Sequence, residues 1–316
     1  MRTKFIFNIA ILCLVLSACS FNKKLEDVEL SDSYSEKVNN YVKKVNSLSK
    51  SPFSNFFEGG LSPNIILLDQ ERNCIVSNKN TKTSKFYKHK DFYAASLAPI
   101  FKNSQGVLAL DDVKWIVVPT NLVTYSVNNE NFVKHIVRSW NVSNGRNVPD
   151  PKTTKEIFAD SSFQELITLE LKALNAALIS RTGTMMKRNI RNALVLRKYR
   201  NQKFPKYMPV LEEVELTIGL ENEACLLYNN FSFGEKRVYL VEKFKKLPQG
   251  KSFLFENWSE NSLSVYSLFL SLEKPDWMLS IKKGFSFNQL MFSMHKVEDK
   301  KIKDDYFARL RCIYKK

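Results

Sequence analysis

The sequence predicts an α+β fold with a helical hairpin in the middle, a mainly antiparallel sheet, and a β-rich C-terminal half. Short apolar runs between residues 65 and 142 are rich in Val, Ile, Tyr and Trp and are separated by Asn, Asp and Gly, which is typical of strands. Apolar residues recur at helical spacing between 163 and 178. After Pro209, further short runs alternate with turns, which indicates an antiparallel meander.

A helix and several short strands are predicted in the N-terminal part of the chain. Ser33 and Glu36 form a capping box ahead of apolar residues that share one helical face. The members of this face are Val38, Tyr41, Val42, Val45 and Leu48. Strands are expected at 65–68, 74–76, 115–118, 122–127 and 133–140.

The central hairpin is predicted from its capping residues. Ser162 and Glu165 form a second capping box at the start of the first helix. Gly183 is expected to close that helix in the left-handed conformation, and Thr184 to cap the next helix. The second helix is expected to end near residue 200, because Pro205 forbids continuation.

The C-terminal half is read as a series of strands that carry two of the cysteines. They are expected at 214–218, 225–228, 237–241, 252–255, 265–272, 277–281, 290–294 and 307–314. Cys225 and Cys312 both fall in these runs, so they are the preferred pair for any disulfide, with Cys74 left over. The alternative, in which all three are small buried apolar side chains, stays open.

The N-terminus carries an export signal. Arg2 and Lys4 precede an apolar run from 5 to 16 that is too short to span a bilayer comfortably. The run ends in the box Leu16-Ser17-Ala18-Cys19, which resembles the lipobox of bacterial lipoproteins. The resemblance implies cleavage before Cys19, whose thiol then receives a lipid with acyl chains such as palmitate. The alternatives are an ordinary secretory signal or a short membrane anchor.

The residues after the cysteine bear on the destination. In Gram-negative lipoproteins an Asp directly after the cysteine favours retention in the inner membrane, whereas Ser20 and Phe21 stand here. The resemblance therefore implies an outer-membrane anchor that faces the periplasm. Retention in the inner membrane and exposure at the cell surface stay open.

The charge balance is strongly positive. Cleavage would remove Arg2 and Lys4 and lower the formal charge from +16 to +14. Outside the inner membrane the abundant anions are phospholipid head groups and lipopolysaccharide phosphates, which argues against nucleic acid as the partner. The expected partners are the membrane, through the lipid on Cys19, and an anionic lipid, lipopolysaccharide or envelope protein.

A basic face is predicted on the second helix of the hairpin. No Asp or Glu occurs between 171 and 211, and a helical projection places Lys187, Arg188, Arg191 and Lys198 within about 100° of arc. This face is a candidate for docking an anionic partner. The competing interpretation is that the acidic residues between 212 and 223 neutralise the hairpin internally.

These observations divide the chain into six parts. They are the signal peptide 1–18, a lipidated tether 19–32, an N-terminal helix and linker 33–60, a small β-rich region 61–150, the basic hairpin 151–208 and the β-rich region 209–316, where 61–316 can form one domain.

The sequence lacks the usual catalytic motifs, such as Gly-x-Ser-x-Gly, His-Glu-x-x-His and Cys-x-x-Cys. No catalytic residue, metal site or cofactor is therefore predicted. We expect a non-enzymatic envelope component that works in assembly, as an accessory, or by binding. The alternative is a periplasmic hydrolase acting on peptidoglycan or lipid, in which His89, His135 or His295 would have to meet a nucleophile in a pocket.

Overall fold

The computed structural model divides the chain into two compact units. Unit 1 comprises Met1–Lys50 and Ser62–Phe132, and unit 2 comprises Ser51–Leu61 and Val133–Lys316. The structure describes residues 26–48, 64–81, 86–102, 106–110, 113–119, 130–143, 151–229, 231–245, 254–282, 285–297 and 301–315. The signal peptide and Cys19 lie outside these residues.

In its described residues, unit 1 contains a long helix, a short helix and a six-stranded sheet. Its elements are α1 (Asp32–Leu48), β1 (Asn64–Asp69), β2 (Cys74–Ser77), β3 (Tyr87–His89), β4 (Phe92–Ser96), the short α2 (Pro99–Lys102), β5 (Gly106–Leu110) and β6 (Val113–Pro119). The strand order is β3-β4-β2-β1-β6-β5, with β1 and β6 parallel and the other neighbours antiparallel. The predicted strands at 65–68, 74–76 and 115–118 are present. The predicted strand at 122–127 lies outside the described residues.

Helix α1 covers one face of this sheet. Val38, Val42 and Val45 are at most 3% exposed, and Val42 and Val45 line a small crevice with Ile65 and Leu67 of β1. The intervening residues of β1 enter a second buried cluster with Phe101 and Trp115, because successive side chains of a strand point to opposite faces. Burial on both faces explains why β1 is continuously apolar.

The chain just before α1 is attached to the sheet. The backbone N–H of Ser96 donates to the carbonyl of Glu26 at 2.9 Å, and the N–H of Glu26 donates to Ser96 Oγ at 3.2 Å. The α1 N-terminus is capped from Ser31, whose Oγ accepts from the N–H of Tyr34 at 3.4 Å. Part of the predicted tether, 19–32, is therefore bonded to unit 1.

Unit 2 is helical. Its helices are α3 (Glu130–Ser143), α4 (Pro151–Ala159), α5 (Ser161–Leu178), α6 (Gly183–Lys203), α7 (Met208–Val214), α8 (Leu220–Tyr228), α9 (Phe233–Lys245), α10 (Leu254–Glu273), α11 (Trp277–Lys282), α12 (Phe287–Met294) and α13 (Asp304–Tyr314). A 3-10 turn (Pro205–Tyr207) precedes α7, and a π-helical turn (Glu215–Gly219) joins α7 to α8.

The predicted hairpin of α5 and α6 is present, with different caps. Asp160, rather than Ser162, caps α5 by accepting from two backbone N–H groups. Thr182 caps α6, and Gly183 is the first residue of that helix rather than the left-handed end of α5. The side-chain contact between Ser180 and Asn189 near the turn shows that the two helices run antiparallel from there.

The predicted β-rich C-terminal half is wrong, and with it the predicted fold class. Each described part of the eight strands expected after Pro209 is helical, and 133–140 lies in α3. The strand expected at 265–272 lies within α10, a helix whose serines are buried together with its apolar residues. Ser262, Ser264 and Ser267 are fully buried small residues, and a buried helix carries no 3.6-residue pattern.

The π-helical turn crosses α10 at close range. A Cβ atom on Gly219 would lie 2.7 Å from the Cβ of Leu263 and 2.8 Å from the carbonyl oxygen of Ser259. A larger residue at 219 would therefore push the two helices apart. On the same side, Asn222 donates to Ser264 Oγ at 2.8 Å, so a polar contact follows directly after the crossing.

A charged network lies at the centre of unit 2. The Arg197 guanidinium donates to Glu170 Oε1 at 2.7 Å and to Glu215 Oε2 at 2.9 Å, and Arg200 donates to the second oxygen of Glu170. All four side chains are at most 2% exposed. Two positive and two negative charges therefore balance inside the protein, where an unpaired charge would cost several kcal/mol.

Neutral side chains from α10 and α12 complete the network. Ser262 Oγ donates to Glu215 at 2.6 Å, the Tyr266 hydroxyl donates to Glu170 at 3.1 Å, and Asn288 Oδ1 accepts from Arg197 at 3.0 Å. The Arg197 guanidinium also lies 4.5 Å from the centre of the Tyr266 ring.

Burial and the neighbouring charges set the protonation states in this network. Burial alone lowers the pKa of Arg197, but Glu170 and Glu215 raise it more, so the net direction is upward. Burial, followed by the Glu170 charge, raises the pKa of Tyr266 well above its usual value. The arginine therefore stays charged, and the tyrosine stays a hydrogen-bond donor.

We expect Arg197→Met to lower the free energy of unfolding by about 3–5 kcal/mol, because it leaves buried Glu215 without its cation. Urea denaturation followed by circular dichroism measures this change. Arg188→Met removes an exposed arginine from the same helix and should change the free energy by at most about 0.5 kcal/mol. Adding Glu215→Gln to Arg197→Met should recover part of the loss. Equal effects of the two arginine substitutions would contradict the network.

Candidate functional site

The predicted basic face is only partly exposed. Lys187, Arg188 and Arg191 lie on the exposed side of the first half of α6. Lys198 is 9% exposed, and its Nζ lies 5.8 Å from the centre of the Phe292 ring. Residues 193–200 are all buried, so the second half of α6 has no solvent side. The four predicted residues therefore do not form one surface.

The three exposed cations differ in their partners. Lys187 Nζ lies 3.2 Å from Glu273 Oε1, which neutralises it. Arg191 donates a long hydrogen bond, 3.5 Å, to the carbonyl oxygen of Lys296. Within the described ranges, neither Arg188 nor Arg191 forms an ion pair. These two arginines are the part of the predicted face that remains available to an external anion.

Most of the acidic residues that follow the hairpin form ion pairs inside unit 2. Glu215 pairs with Arg197, Glu221 accepts two hydrogen bonds from Arg138 of α3 at 2.7 and 2.9 Å, and Glu223 lies 3.2 Å from Lys236. Burial raises the pKa of both Glu221 and Glu223, and the facing cation partly offsets this. Of the predicted acidic residues, Glu215 alone pairs with a hairpin cation in the described part of the chain, so the predicted internal neutralisation holds for Arg197. Arg188 and Arg191 form no ion pair with this stretch.

Arg191 belongs to a cleft between α6 and α13, which we call the α6–α13 cleft. Its volume is about 400 Å³. Its lining consists of Arg191, Val195, Val297, Lys301, Ile302, Lys303, Asp305, Tyr306 and Arg309. This cleft brings one predicted residue together with three cations, Lys301, Lys303 and Arg309, that the sequence interpretation missed. The size lies within the range of small-molecule sites.

Aromatic and polar contacts hold α13 against α6. The rings of Tyr199 and Phe307 stack with centroids 4.2 Å apart. The Tyr314 hydroxyl donates to Asn189 Oδ1 at 2.8 Å and accepts from Asn192 Nδ2 at 3.0 Å. These contacts fix the two helices that form the walls of the cleft.

The segment before α13 and the hairpin partner α5 are also bonded to these walls. The backbone N–H of Ile302 donates to Gln202 Oε1 at 3.0 Å, which ties the chain ahead of α13 to α6. Arg311 donates two hydrogen bonds to Glu165 of α5, at 2.7 and 3.1 Å. The walls are therefore secured before any ligand binds.

The cleft combines a positive rim with an apolar floor. Val195 and Val297 are at most 7% exposed and form the floor, with Ile302 partly buried beside them. Arg191, Lys301, Lys303 and Arg309 are exposed and form no ion pair in the described part of the chain. Such a combination suits a ligand with both an anionic and an apolar part.

The acids of α13 leave most of this charge uncompensated. The hydroxyl of Tyr199 and the Nζ of Lys203, with a smaller contribution from Lys301, lower the pKa of Asp304, whose Oδ1 lies 2.7 Å from that hydroxyl and 3.2 Å from that Nζ. Asp304 is thus already paired. Asp305 lines the cleft and is its one acidic residue against four cations.

A helical assignment of 304–314 would have grouped the residues that α13 contributes to the cleft. Asp305 and Arg309 are four residues apart, and Tyr306 and Arg309 are three apart, so each pair shares a helical face. The strand predicted at 307–314 included Arg309 but not Asp305 or Tyr306, so the prediction did not place the three residues on one face. The contribution of Lys301 and Lys303 depends on how the segment before α13 folds back on α6, for which the sequence holds no signal.

Unit 1 has a groove of about 500 Å³ with a different lining. Lys43, Lys88, Lys90 and Asp91 surround it with Asn46, Asn78 and Tyr93. Lys43 lies 3.4 Å from Asp91, so one of its three cations is compensated. Tyr93 is the one residue of this lining with a substantial apolar surface, so the groove lacks the apolar floor of the α6–α13 cleft.

Two histidines lie in surroundings that favour a structural role. His89 stacks on Phe92 at 5.5 Å, and its Nε2 lies 3.5 Å from Asp27. Burial lowers the pKa of His295. Neither imidazole makes a side-chain hydrogen bond to a Ser or Cys within the part of the chain described here.

The predicted Cys225–Cys312 disulfide is not formed. Cys225 is 1% exposed in α8, whereas Cys312 is exposed on α13, and neither forms a disulfide. The pairing was expected because both residues were assigned to strands, and both are in helices. Cys74 is buried, and its burial raises its pKa to about 11.

Known proteins add no information on this site. No protein-family model, no curated protein and no solved structure matches the chain. Among the described residues, no helix is both long and apolar enough to cross a membrane, and no group of His, Cys, Asp and Glu side chains is suited to hold a metal ion.

The thiols should differ in reactivity. In the mature chain carrying Cys19→Ser, we expect iodoacetamide at pH 8 to modify Cys312 quickly, because it is exposed. Buried Cys74, with a pKa of about 11, is only about 10⁻³ thiolate at that pH, and Cys225 is shielded, so both should react only after denaturation. Peptide mass spectrometry identifies the modified residues, and Cys312→Ser should remove the fast phase. Detection of a peptide linked through Cys225 and Cys312 in the non-reduced protein would contradict the absence of this disulfide.

Proposed function

We propose that this chain is an envelope lipoprotein, anchored through Cys19, that works by binding an anionic partner rather than by catalysis. The observation that carries the binding role is the α6–α13 cleft, where four cations that form no ion pair with any described residue surround an apolar floor. Maintaining such a cluster has an electrostatic cost from mutual repulsion. An anion from outside relieves that repulsion, which is a physical reason for keeping the cations together.

The charge distribution within unit 2 supports the same role. The buried half of α6 is neutralised by Glu170 and Glu215, so the large positive charge of the hairpin is not spread evenly. The exposed part of the excess includes Arg188 and Arg191, and Arg191 lies in the cleft with three further cations. An anionic membrane surface attracts such a patch by about 1 kcal/mol for each basic residue near it.

The proposed anchor rests on the basic start, the short apolar run and the box that ends at Cys19. The outer membrane, facing the periplasm, is the proposed location because Ser20 and Phe21 follow the cysteine. Attachment of this kind brings the body close to phospholipid and lipopolysaccharide phosphates. The proposed ligand chemistry and the proposed location therefore agree.

The first test concerns the anchor. In cells fed labelled palmitate, Cys19→Ser should abolish labelling and release the protein from the membrane fraction, because the thiol that accepts the lipid is gone. Two or three acyl chains are needed for stable attachment. Cys13→Ser is the matched control, since Cys13 precedes the cleavage site and should not affect labelling. Persistent palmitate on the Cys19→Ser protein would refute the lipoprotein assignment.

The second test concerns the basic rim. In the mature chain carrying Cys19→Ser, the triple variant Arg191→Glu, Lys301→Glu and Arg309→Glu should bind phosphatidylglycerol vesicles at least about 100-fold more weakly at low salt. Vesicle co-sedimentation measures this, with phosphatidylcholine vesicles as the neutral surface and lipopolysaccharide as a second anion. The loss should shrink at high salt, because the Debye length falls from about 30 Å at 0.01 M to 3 Å at 1 M.

A control with the same change in charge separates the cleft from overall charge. The exposed cations Arg181, Lys206 and Lys245 lie outside the cleft lining, and their reversal to Glu should weaken binding much less. Both triple variants should melt close to the parent, since the substituted groups are exposed. Equal loss in the two triples would show that net charge alone drives binding, and unaltered binding in the cleft triple would end the proposal.

A further inference from the structure

We propose that the α6–α13 cleft takes a single phosphorylated amphiphile, a glycerophospholipid of the membrane in which the protein is anchored. This inference rests on the proposed function and makes its ligand specific. The phosphate would lie among the rim cations, and the hydrocarbon next to the glycerol would lie on the floor formed by Val195, Val297 and Ile302.

The rim has the chemistry that a phosphate requires. Arg191 and Arg309 contribute planar guanidinium groups, which can bind two phosphate oxygens at once, and Lys301 and Lys303 add point charges. Asp305 is placed in the same lining and disfavours a second anionic group. With four cations against this one acid, the lining keeps a net positive charge that attracts a phosphate.

The floor distinguishes a lipid from a simple anion. Val195 and Val297 are 4% and 7% exposed and close the bottom of the cleft, so the apolar surface that a ligand can cover comes mainly from partly buried Ile302 and from Tyr306. Tyr306 is 40% exposed at the rim and can cover hydrocarbon with one face of its ring. An inorganic phosphate would use the rim and leave this apolar surface without a role.

The cleft is also organised before the ligand arrives. Its walls are held by the stacked rings of Tyr199 and Phe307, and its floor segment by the backbone bond from Val297 to the carbonyl of Phe292 at 2.9 Å. A preformed site loses little binding energy to ordering. The volume of about 400 Å³ accommodates a head group and the start of the acyl chains, with the remainder outside the cleft.

The test uses the mature chain with Cys19→Ser and a soluble lipid, dihexanoylphosphatidylglycerol, below the concentration at which it forms micelles. Isothermal titration calorimetry should show saturable binding of one lipid per chain. Dihexanoylphosphatidylcholine, whose choline cation offsets the phosphate, should bind at least about tenfold more weakly. At pH 5, where its phosphate carries about one negative charge like the lipid phosphodiester, glycerol 3-phosphate should also bind at least about tenfold more weakly, because it lacks the hydrocarbon.

Single substitutions assign each part of the ligand to its part of the cleft. Tyr306→Ala should weaken binding of the dihexanoyl lipid by about tenfold and leave glycerol 3-phosphate unchanged. Arg309→Gln should weaken both by about tenfold. Asp305→Asn should strengthen lipid binding by about fivefold, because it removes the one acid of the lining. Phe285→Ala, which removes an aromatic ring that is 55% exposed outside the cleft, is the matched control for Tyr306→Ala.

The outcomes separate this inference from the proposed function. Vesicle binding that depends on the rim cations, without saturable binding of the soluble lipid, would overturn the cleft ligand and leave the proposed function standing. An unchanged affinity for the lipid in Tyr306→Ala would overturn it as well. Tighter binding of poly-glutamate than of the lipid, with the same dependence on Arg309, would overturn it in favour of an acidic protein segment.

Discussion

Arg197 and Arg200 lie three residues apart on α6 and therefore project from the same side of the helix, where Glu170 of α5 accepts hydrogen bonds from both. One carboxylate cannot neutralise two guanidinium groups, and the second negative charge comes from Glu215 in the π-helical turn. Hydroxyl groups of α10 donate second hydrogen bonds to Glu215 Oε1 and Glu170 Oε1, which also accept from Arg197. Removing any charged member leaves an unpaired charge in the core. The network therefore fixes the positions of α5, α6, α10 and the π-helical turn relative to one another.

The internal network determines which cations between 171 and 211 remain exposed to solvent. The sequence between 171 and 211 reads as one uniformly positive segment, but α6 crosses from the surface into the core between residues 191 and 193. Cations after that point serve the internal network or, like Lys198, lie against an aromatic ring. Cations before it stay in solvent, where α13 and the segment ahead of it add three more. The α6–α13 cleft is therefore a product of tertiary packing rather than of one helix face.

Local signals in the sequence were reliable where a helix had one solvent side. Helix α1, with its valines at helical spacing, and the hairpin of α5 and α6 were predicted, as were strands of unit 1 whose β-branched residues are buried on both faces. The signals failed where helices are surrounded by protein. In α10 the serines are buried together with the apolar residues, so the helix has no polar side that would reveal its period. In α3, Val133, Ile136 and Val137 were read as β-branched strand residues although they recur at helical spacing. Because the site depends on α13 being a helix, only Arg191 of its four cations was predicted.

The internal network and the cleft are close along α6 but chemically independent. Val195 of the floor is only two residues from Arg197, yet on a helix neighbours two apart do not face each other, and the network is already neutral without any contribution from the rim. An anion in the cleft therefore does not compete with Glu170 or Glu215 for their arginines. The rigidity of the core reaches the cleft instead through packing, since Tyr199, on the turn that carries Arg197 and Arg200, stacks on Phe307 of α13. The core thus fixes the α6 wall of the cleft. The uncompensated charge for binding comes from exposed cations that take no part in the internal network.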